Sequence, residues 1–430
     1  MDINRIKGEF KVNKTRCIFC GIAEDDLLEN GKYPILMTVD DAAICEKCIE
    51  ETYDMIQESK KAKEQSKLSK GKLPKPSEIR AHLDQYIIGQ EDAKEVLSVA
   101  VYNHYKTIRY MKTNKNSDIE IKKSNIMLLG PTGTGKTAIL ECLSKFLNVP
   151  FAISDATNLT AAGYVGEDVE NVVRKLIEAA DGDIERAQHG IIYIDEIDKI
   201  GRKGENVSIT RDVGGESVQQ SILKIVEGAL VEVPPKGGRK HPNQECIKID
   251  TTNILFIVGG SFEGIEKIVS KRLKVQDSHS GIGFGATIKE SKDETLSAVI
   301  DKIEIEDLKK FGMIPEFLGR FPVFATLKPL KENDLIRIMT EPKNALVKQY
   351  KALFNMDNVI LTIKEEAIRE IAKLSIKRET GARGLRSIME NILRKTMYNA
   401  PDQEALAEVV INKECITENK EPVYIVRKVG

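Results

Sequence analysis

The sequence predicts an α/β protein: a parallel sheet sandwiched by helices, followed by an α-helical C-terminal small domain and preceded by a cysteine module. Three observations predict it. Strand-sized apolar runs alternate with amphipathic helical patterns from Ser77 onward, as a parallel sheet with crossover helices requires. From about Pro329 the pattern turns mostly helical, with a late strand or two near Ala407–Ile411 and Pro422–Ile425. Ahead of both, four of the seven cysteines stand as two CxxC pairs near the start of the chain. The expected organisation is a metal module at 1–56, a linker at 57–76, a large domain at 77–325 and a small domain at 326–430.

Composition bounds the function. The 430 residues suit roughly three domains. With 41% hydrophobic and 30% charged residues, the chain reads as globular and not as disordered or fibrous. Sixty-five basic against 66 acidic side chains leave a net charge of −1, so no overall basic field points to nucleic acid. Apolar runs such as Ile254–Gly260 are far shorter than the roughly 20 residues that span a bilayer. The first residues carry no apolar leader, and the expectation is a cytoplasmic protein without a membrane partner.

The cysteine module comes first. Cys17 and Cys20 form one pair, Cys45 and Cys48 the other, with 24 residues between them. Each CxxC makes a tight knuckle that presents two thiolates to one tetrahedral Zn²⁺. In a reducing compartment this pattern points to metal before disulfides. A segment this short lacks the core to fold alone, and four sulfur ligands leave no open position for catalysis. The expected ion is a structural zinc. The next stretch, 57–76, holds seven Lys and two Glu, has no aromatic and ends with Pro74 and Pro76. It reads as a solvated linker.

In the α/β region the strand candidates are Asn125–Gly130, Phe151–Ser154, Ile191–Asp195, Asn253–Val258 and Val323–Thr326. Between them a helix is predicted over Glu167–Ala180, where Val169, Val172, Val173, Leu176, Ile177 and Ala180 recur at helical spacing. The first strand runs into Gly130-Pro131-Thr132-Gly133-Thr134-Gly135-Lys136-Thr137, a GxxxxGK[ST] loop, and then through Ala138 into an amphipathic helix. Glycines let backbone N–H groups wrap phosphates, and the helix start adds its positive end. Lys136 is expected to reach the β- and γ-phosphates of ATP, and the Thr137 hydroxyl to hold Mg²⁺. Further on, Ile191–Ile194 is a buried strand ending in Asp195-Glu196. By itself such an ending also fits a surface turn. After a phosphate loop it reads as a hydrolysis site, with Asp195 orienting the Mg²⁺ shell and Glu196 polarising the attacking water.

These motifs resemble those of the AAA+ ATPases. With the four-cysteine module, the chain is similar to the ClpX family, the unfoldases of the Clp protease. Matching segments run along nearly all of it: Tyr86–Gln90, Gly163–Gly166, Gly238–His241, Gly281–Gly285, Glu316–Arg320 and Thr380–Arg386. The resemblance implies a homohexamer that unfolds tagged or unfolded proteins, with or without adaptors, and feeds them to the ClpP peptidase. It implies that Ile87 and Ile88 lie against adenine, although a core strand end would look the same. Tyr164 and Val165 would belong to the first pore loop, and Val213–Val218 to the second, where Gly214 and Ser217 depart from the family pattern. Arg239, Lys240 and His241 would line the pore mouth. Arg320 would be the arginine finger acting on a neighbour's γ-phosphate, and Arg383 the sensor-2 arginine. Ile282, Gly283 and Phe284 would dock into the peptidase. Two features differ from the family: the long gap between cysteine pairs, assigned to a loop near Glu24–Tyr33, and the lack of a clear polar sensor-1 residue after Ile254–Gly260. Two rival readings share part of the pattern. A remodelling chaperone without a peptidase would not need the Phe284 loop, and a zinc-bearing nucleic-acid ATPase would leave both that loop and Tyr164 without a role.

Overall fold

The computed structural model describes residues 15–24, 26, 34–39, 42–53, 55, 73–114, 119, 121–160, 167–201, 215–234, 246–278, 299–403 and 405–427. The chain divides into two compact units, Met1–Lys72 and Leu73–Gly430.

In the first unit, strands Leu36–Val39 and Ala42–Cys45 pair antiparallel, and residues 46–53 are helical. Cys17, Cys45 and Cys48 form the centre of a very small cluster, with Ile22, Leu36 and Ile44 packed against it. So small an apolar core cannot hold the unit by burial alone. The expected loop near Glu24–Tyr33 falls mostly outside the described residues.

The second unit is built on five parallel strands: β1 Ile126–Leu129, β2 Phe151–Asp155, β3 Ile191–Asp195, β4 Leu255–Gly260 and β5 Val323–Thr326. Their order across the sheet is β5-β1-β4-β3-β2, with every neighbouring pair parallel. The central strands β1 and β4 are buried at every residue, which is why they read as unbroken apolar runs. Helices α1 Pro76–Leu83, α2 Glu91–Thr113, α3 Lys136–Leu147, α4 Glu170–Ala179, α5 Gly215–Val226 and α6 Ile265–Ser278 surround the sheet.

Several expectations shift by a few residues. The helix expected over Glu167–Ala180 begins only at Glu170, because Glu167–Asp168 pairs in parallel with Leu159–Thr160. The strand expected at Asn253–Val258 runs on through Gly259 and Gly260. Pro76 opens α1 instead of ending the linker, since a proline at a first helical position gives up no hydrogen bond. Thr326, expected to open the small domain, pairs with Leu129 in the large sheet.

Beyond Lys328, helices α7 Glu332–Thr340, α8 Leu346–Met356, α9 Glu365–Lys377 and α10 Gly381–Asn399 enclose a second core that includes Leu335, Tyr350, Phe354, Ile371 and Leu385. Three strands complete it: β6 Ile360–Ile363 runs parallel to β7 Leu406–Ile411, which pairs antiparallel with β8 Val423–Val426. The first of these was not expected from the sequence. No helix among the described residues is long and apolar enough to cross a membrane.

Candidate functional site

The site is assembled where β1, β3 and β4 end. Leaving β1, the chain turns at Gly130, whose N–H donates to the Gly260 carbonyl across the sheet (3.2 Å). A side chain at 130 would press within 2.7 Å of the Leu327 carbonyl, so glycine is required there. Gly133 and Gly135 take φ values of +80° and +102°, the left-handed region where other residues are strained. Thr134 Oγ1 donates to the Pro131 carbonyl at 2.8 Å and braces the loop. Gly135 then caps α3, directing its first N–H groups into the loop.

Lys136 is buried at the start of α3, and its Nζ donates to the carbonyls of Gly130 (2.5 Å) and Pro131 (3.1 Å). Burial lowers its pKa, opposed by the negative charges of Asp195, Asp198 and Glu196. Arg383 adds its positive charge, so the small domain reaches electrostatically into this site. Thr137 is half-buried one residue further, while Thr132 and Ala138 are exposed at the rim.

From β3, Asp195 projects at the strand end. Its Oδ1 accepts from the Tyr193 hydroxyl at 2.8 Å and from the Glu196 N–H at 2.9 Å. Glu196 adopts φ +56°, an uncommon conformation for a non-glycine residue, and its side chain stands exposed beyond the strand. Tyr193 itself is fully buried, and burial with the Asp195 charge pushes its phenol strongly upward. Gly259 on β4 makes room for it: a Cβ there would lie 2.2 Å from the Tyr193 Oη.

Next to this pair, β4 is followed by a polar residue the sequence reading did not assign. Ser261 donates from both its N–H and its hydroxyl to buried Asp198, each at 3.1 Å. Gly260 also needs to be glycine, because a Cβ would come within 2.5 Å of Asp198 Oδ1. The glycines that obscured this strand end in the sequence are there because Tyr193 and Asp198 occupy the space beside them.

The small domain meets the phosphate loop directly. The Ala382 N–H, at the start of α10, donates to the Gly133 carbonyl at 3.2 Å, and a Cβ on Gly133 would strike the Thr380 carbonyl at 2.8 Å. Arg383 follows on the same turn and is exposed. On the other side, Ile88 is buried and Ile87 half-buried just before Gln90. The Gln90 amide pairs with both the N–H and the carbonyl of Lys328, each at 2.8 Å, and its Nε2 also approaches the Thr134 carbonyl at 3.4 Å. Gln90 therefore ties the phosphate loop to the junction between the two cores, another role not read from sequence.

Arg320 lies elsewhere. Its guanidinium is half-exposed and paired with Glu227, with Nε 2.9 Å and Nη2 2.6 Å from Oε1. Val218 is buried in α5, so the segment from Gly215 to Val218 opens a helix instead of continuing the expected pore loop. Tyr164, Val165, Arg239, Lys240, His241, Ile282, Gly283 and Phe284 lie outside the described residues.

In the first unit, the sulfurs of Cys17, Cys20, Cys45 and Cys48 all lie within 4.8 Å of one another, with Cys20 and Cys45 at 3.5 Å. A disulfide would bring two of them to about 2.05 Å, whereas a tetrahedral zinc site with bonds of about 2.3 Å separates sulfurs by about 3.8 Å. Burial opposes ionisation of Cys17, yet backbone N–H groups from Cys20, Cys45 and Phe19 bring it down to about 6. Burial and the neighbouring thiols raise Cys45 and Cys48. Four crowded thiols cannot all ionise on their own, and a bound cation removes that conflict, so the donor set fits zinc.

Residues 121–324 match the family model of the AAA domain (Cdc48 subfamily), and residues 330–411 match that of the C-terminal, D2-small domain of ClpB protein. The chain is 52% identical over 374 residues to an ATP-dependent Clp protease ATP-binding subunit ClpX from Treponema denticola, covering 87% of this chain and 88% of that one. The chain is thus an AAA+ ATPase and not itself a peptidase. Identity at half the aligned positions, over most of both chains, means that this chain belongs to the ClpX family of ATP-dependent chaperones.

Proposed function

We propose that the chain is one subunit of a homohexameric ring that unfolds proteins, threads them through its centre and delivers them to the ClpP peptidase. The observation that carries this reading is the backbone bond between Gly133 and Ala382, which joins the phosphate loop to the small domain. A nucleotide entering or leaving that loop would disturb the contact and pass the disturbance to the second core. Hydrolysis can thereby be converted into movement.

Within each subunit, the N–H groups of the loop and of the start of α3 would receive the phosphates, with Lys136 leaving the Gly130 and Pro131 carbonyls to bind them. Thr137 and Asp195 would hold Mg²⁺, which when bound neutralises phosphate charge. Glu196 would take a proton from the attacking water. Ile87 and Ile88 would border adenine, Arg383 would register the nucleotide, and Arg320 would leave Glu227 to reach the neighbouring subunit's site. Tyr164 and Val165 would grip the substrate, Arg239, Lys240 and His241 would attract it at the pore mouth, and Ile282–Phe284 would dock on the peptidase. The four cysteines would carry Zn²⁺ as a structural ion. The cytoplasm is the expected compartment.

The test uses a stable fluorescent protein carrying a degradation tag, incubated with the chain and ATP, with and without ClpP. The expected result is ATP-dependent loss of fluorescence, with peptides released only when ClpP is present. Glu196→Gln should bind ATP and do neither. Fluorescence that survives ATP under both conditions would overturn the proposal.

A further inference from the structure

Tyr193 has a role that neither burial nor strand propensity accounts for. It is the one phenol in the apolar run Ile191-Ile192-Tyr193-Ile194, it is fully buried, and a core strand position of this kind is filled more cheaply by an aliphatic side chain. Its hydroxyl donates to Asp195 Oδ1 at 2.8 Å. It thus touches Asp195, one of the two residues whose oxygens fit the Mg²⁺ of an ATPase. The space it needs is kept open from the opposite strand, since any Cβ at Gly259 would fall 2.2 Å from the Tyr193 Oη.

The consequence concerns which oxygen of Asp195 faces the nucleotide. Oδ1 is engaged by both the Tyr193 hydroxyl and the Glu196 N–H. Among the described residues no hydrogen-bond donor reaches Oδ2. We infer that Tyr193 is a positioning residue for ATP hydrolysis: its hydroxyl fixes the Asp195 carboxylate so that Oδ2 is presented to the cation. This rests on reading Asp195 as a residue that holds Mg²⁺. Partners of this kind, one step behind the metal ligands, lock side-chain orientation, and their loss typically weakens metal binding or activity by about 10- to 100-fold. Tyr193 is fully buried and reaches the site through Asp195, so its removal should act through the cation and not through the base or sugar.

Tyr193→Phe keeps the ring and removes only the hydroxyl. Two measurements on the full-length protein separate the possibilities: binding of a fluorescent ATP analogue with Mg²⁺ or with EDTA, and the Mg²⁺ concentration giving half-maximal ATPase. The expected result is unchanged binding in EDTA, a roughly tenfold loss of the tightening that Mg²⁺ gives, and a comparable rise in the Mg²⁺ requirement, with excess Mg²⁺ restoring part of the rate. Gly259→Ala, which pushes the hydroxyl aside without deleting it, should move both readings in the same direction. If Tyr193→Phe lowers only the melting temperature and leaves both Mg²⁺ readings at wild-type values, the residue is structural and the inference is overturned. Asp195→Asn is the companion control. If it abolishes Mg²⁺-dependent tightening while Tyr193→Phe does not, only the tyrosine's role fails; if it changes nothing, the assignment of Asp195 fails as well.

Discussion

His104, on α2, shows how a single buried group sets acid stability. Its Nε2 meets the Asn253 carbonyl at 3.1 Å, Tyr105 packs edge-on against its ring, and Lys123 and His189 are the charged neighbours. Burial, reinforced by the Lys123 charge, holds the imidazole down at about 3. An unfolded histidine titrates near 6.5. Between those values the unfolded chain takes up a proton that the folded chain refuses, so this contribution is complete above about pH 6.5 and is lost as pH falls toward 3. At pH 5 the loss is about 2 kcal/mol. His104→Gln keeps a donor for the Asn253 carbonyl and removes the titration. Urea unfolding of both proteins at pH 7 and pH 5 should show the variant losing about 2 kcal/mol less on acidification. Equal acid losses would remove His104 from the account. Neither the helix that carries it nor its carbonyl partner, 149 positions away, was read from the sequence.

Between elements, the most consequential links join segments distant in sequence. Gln90 and Lys328 are 238 positions apart, yet the Gln90 amide imitates a neighbouring strand by bonding both backbone groups of Lys328. Gln90→Leu retains the bulk and removes both bonds, leaving an N–H and a carbonyl unpaired at the junction of the two cores. The expected cost is about 1–3 kcal/mol, read as a lower urea midpoint, together with a weaker ATP-induced rise in melting temperature. A variant with unchanged midpoint and an unchanged ATP response would show that Gln90 is a bystander. This also explains what the sequence disclosed and what it hid. The phosphate loop, the Asp195-Glu196 ending and the cysteine pairs were legible because each is a local pattern whose chemistry depends on spacing along the chain. Strand Ile191–Asp195 was legible to the residue because its apolar run coincides with its burial, and Val323–Thr326 was legible from its run of strand-favouring residues although only Ala325 is buried. The end of β4 was obscured because Gly259 and Gly260 suggest a loop, and only the positions of Tyr193 and Asp198 reveal why glycine is needed. Ile360–Ile363 was missed because only alternate residues are buried and its partner β7 lies far along the chain. The start of α4 was overrun because helical periodicity does not register a two-residue strand pairing.

At the scale of the whole molecule, Arg320 is the residue whose surroundings within one chain do not account for its assigned role. It is half-exposed and paired with Glu227, and an ion pair this open to water contributes about 0–1 kcal/mol, little enough to be given up for a phosphate. A finger that acts on the next subunit requires a head-to-tail ring, in which each site combines Lys136, Asp195 and Glu196 of one copy with Arg320 of another. Complementation tests this directly. Arg320→Ala and Glu196→Gln rings should each be nearly inactive as ATPases, for different reasons. When the two proteins are unfolded, mixed in equal amounts and reassembled, an interface regains a complete site wherever a subunit with intact Glu196 faces one with intact Arg320. Random placement around a closed ring makes this roughly a quarter of the interfaces, so ATPase should recover to about that fraction of wild type. Differently tagged subunits that copurify would establish that mixed rings had formed. Mixed rings without recovered activity would mean that Arg320 serves its own subunit or none, and the intersubunit site would have to be abandoned while the phosphate loop and Asp195-Glu196 chemistry stood.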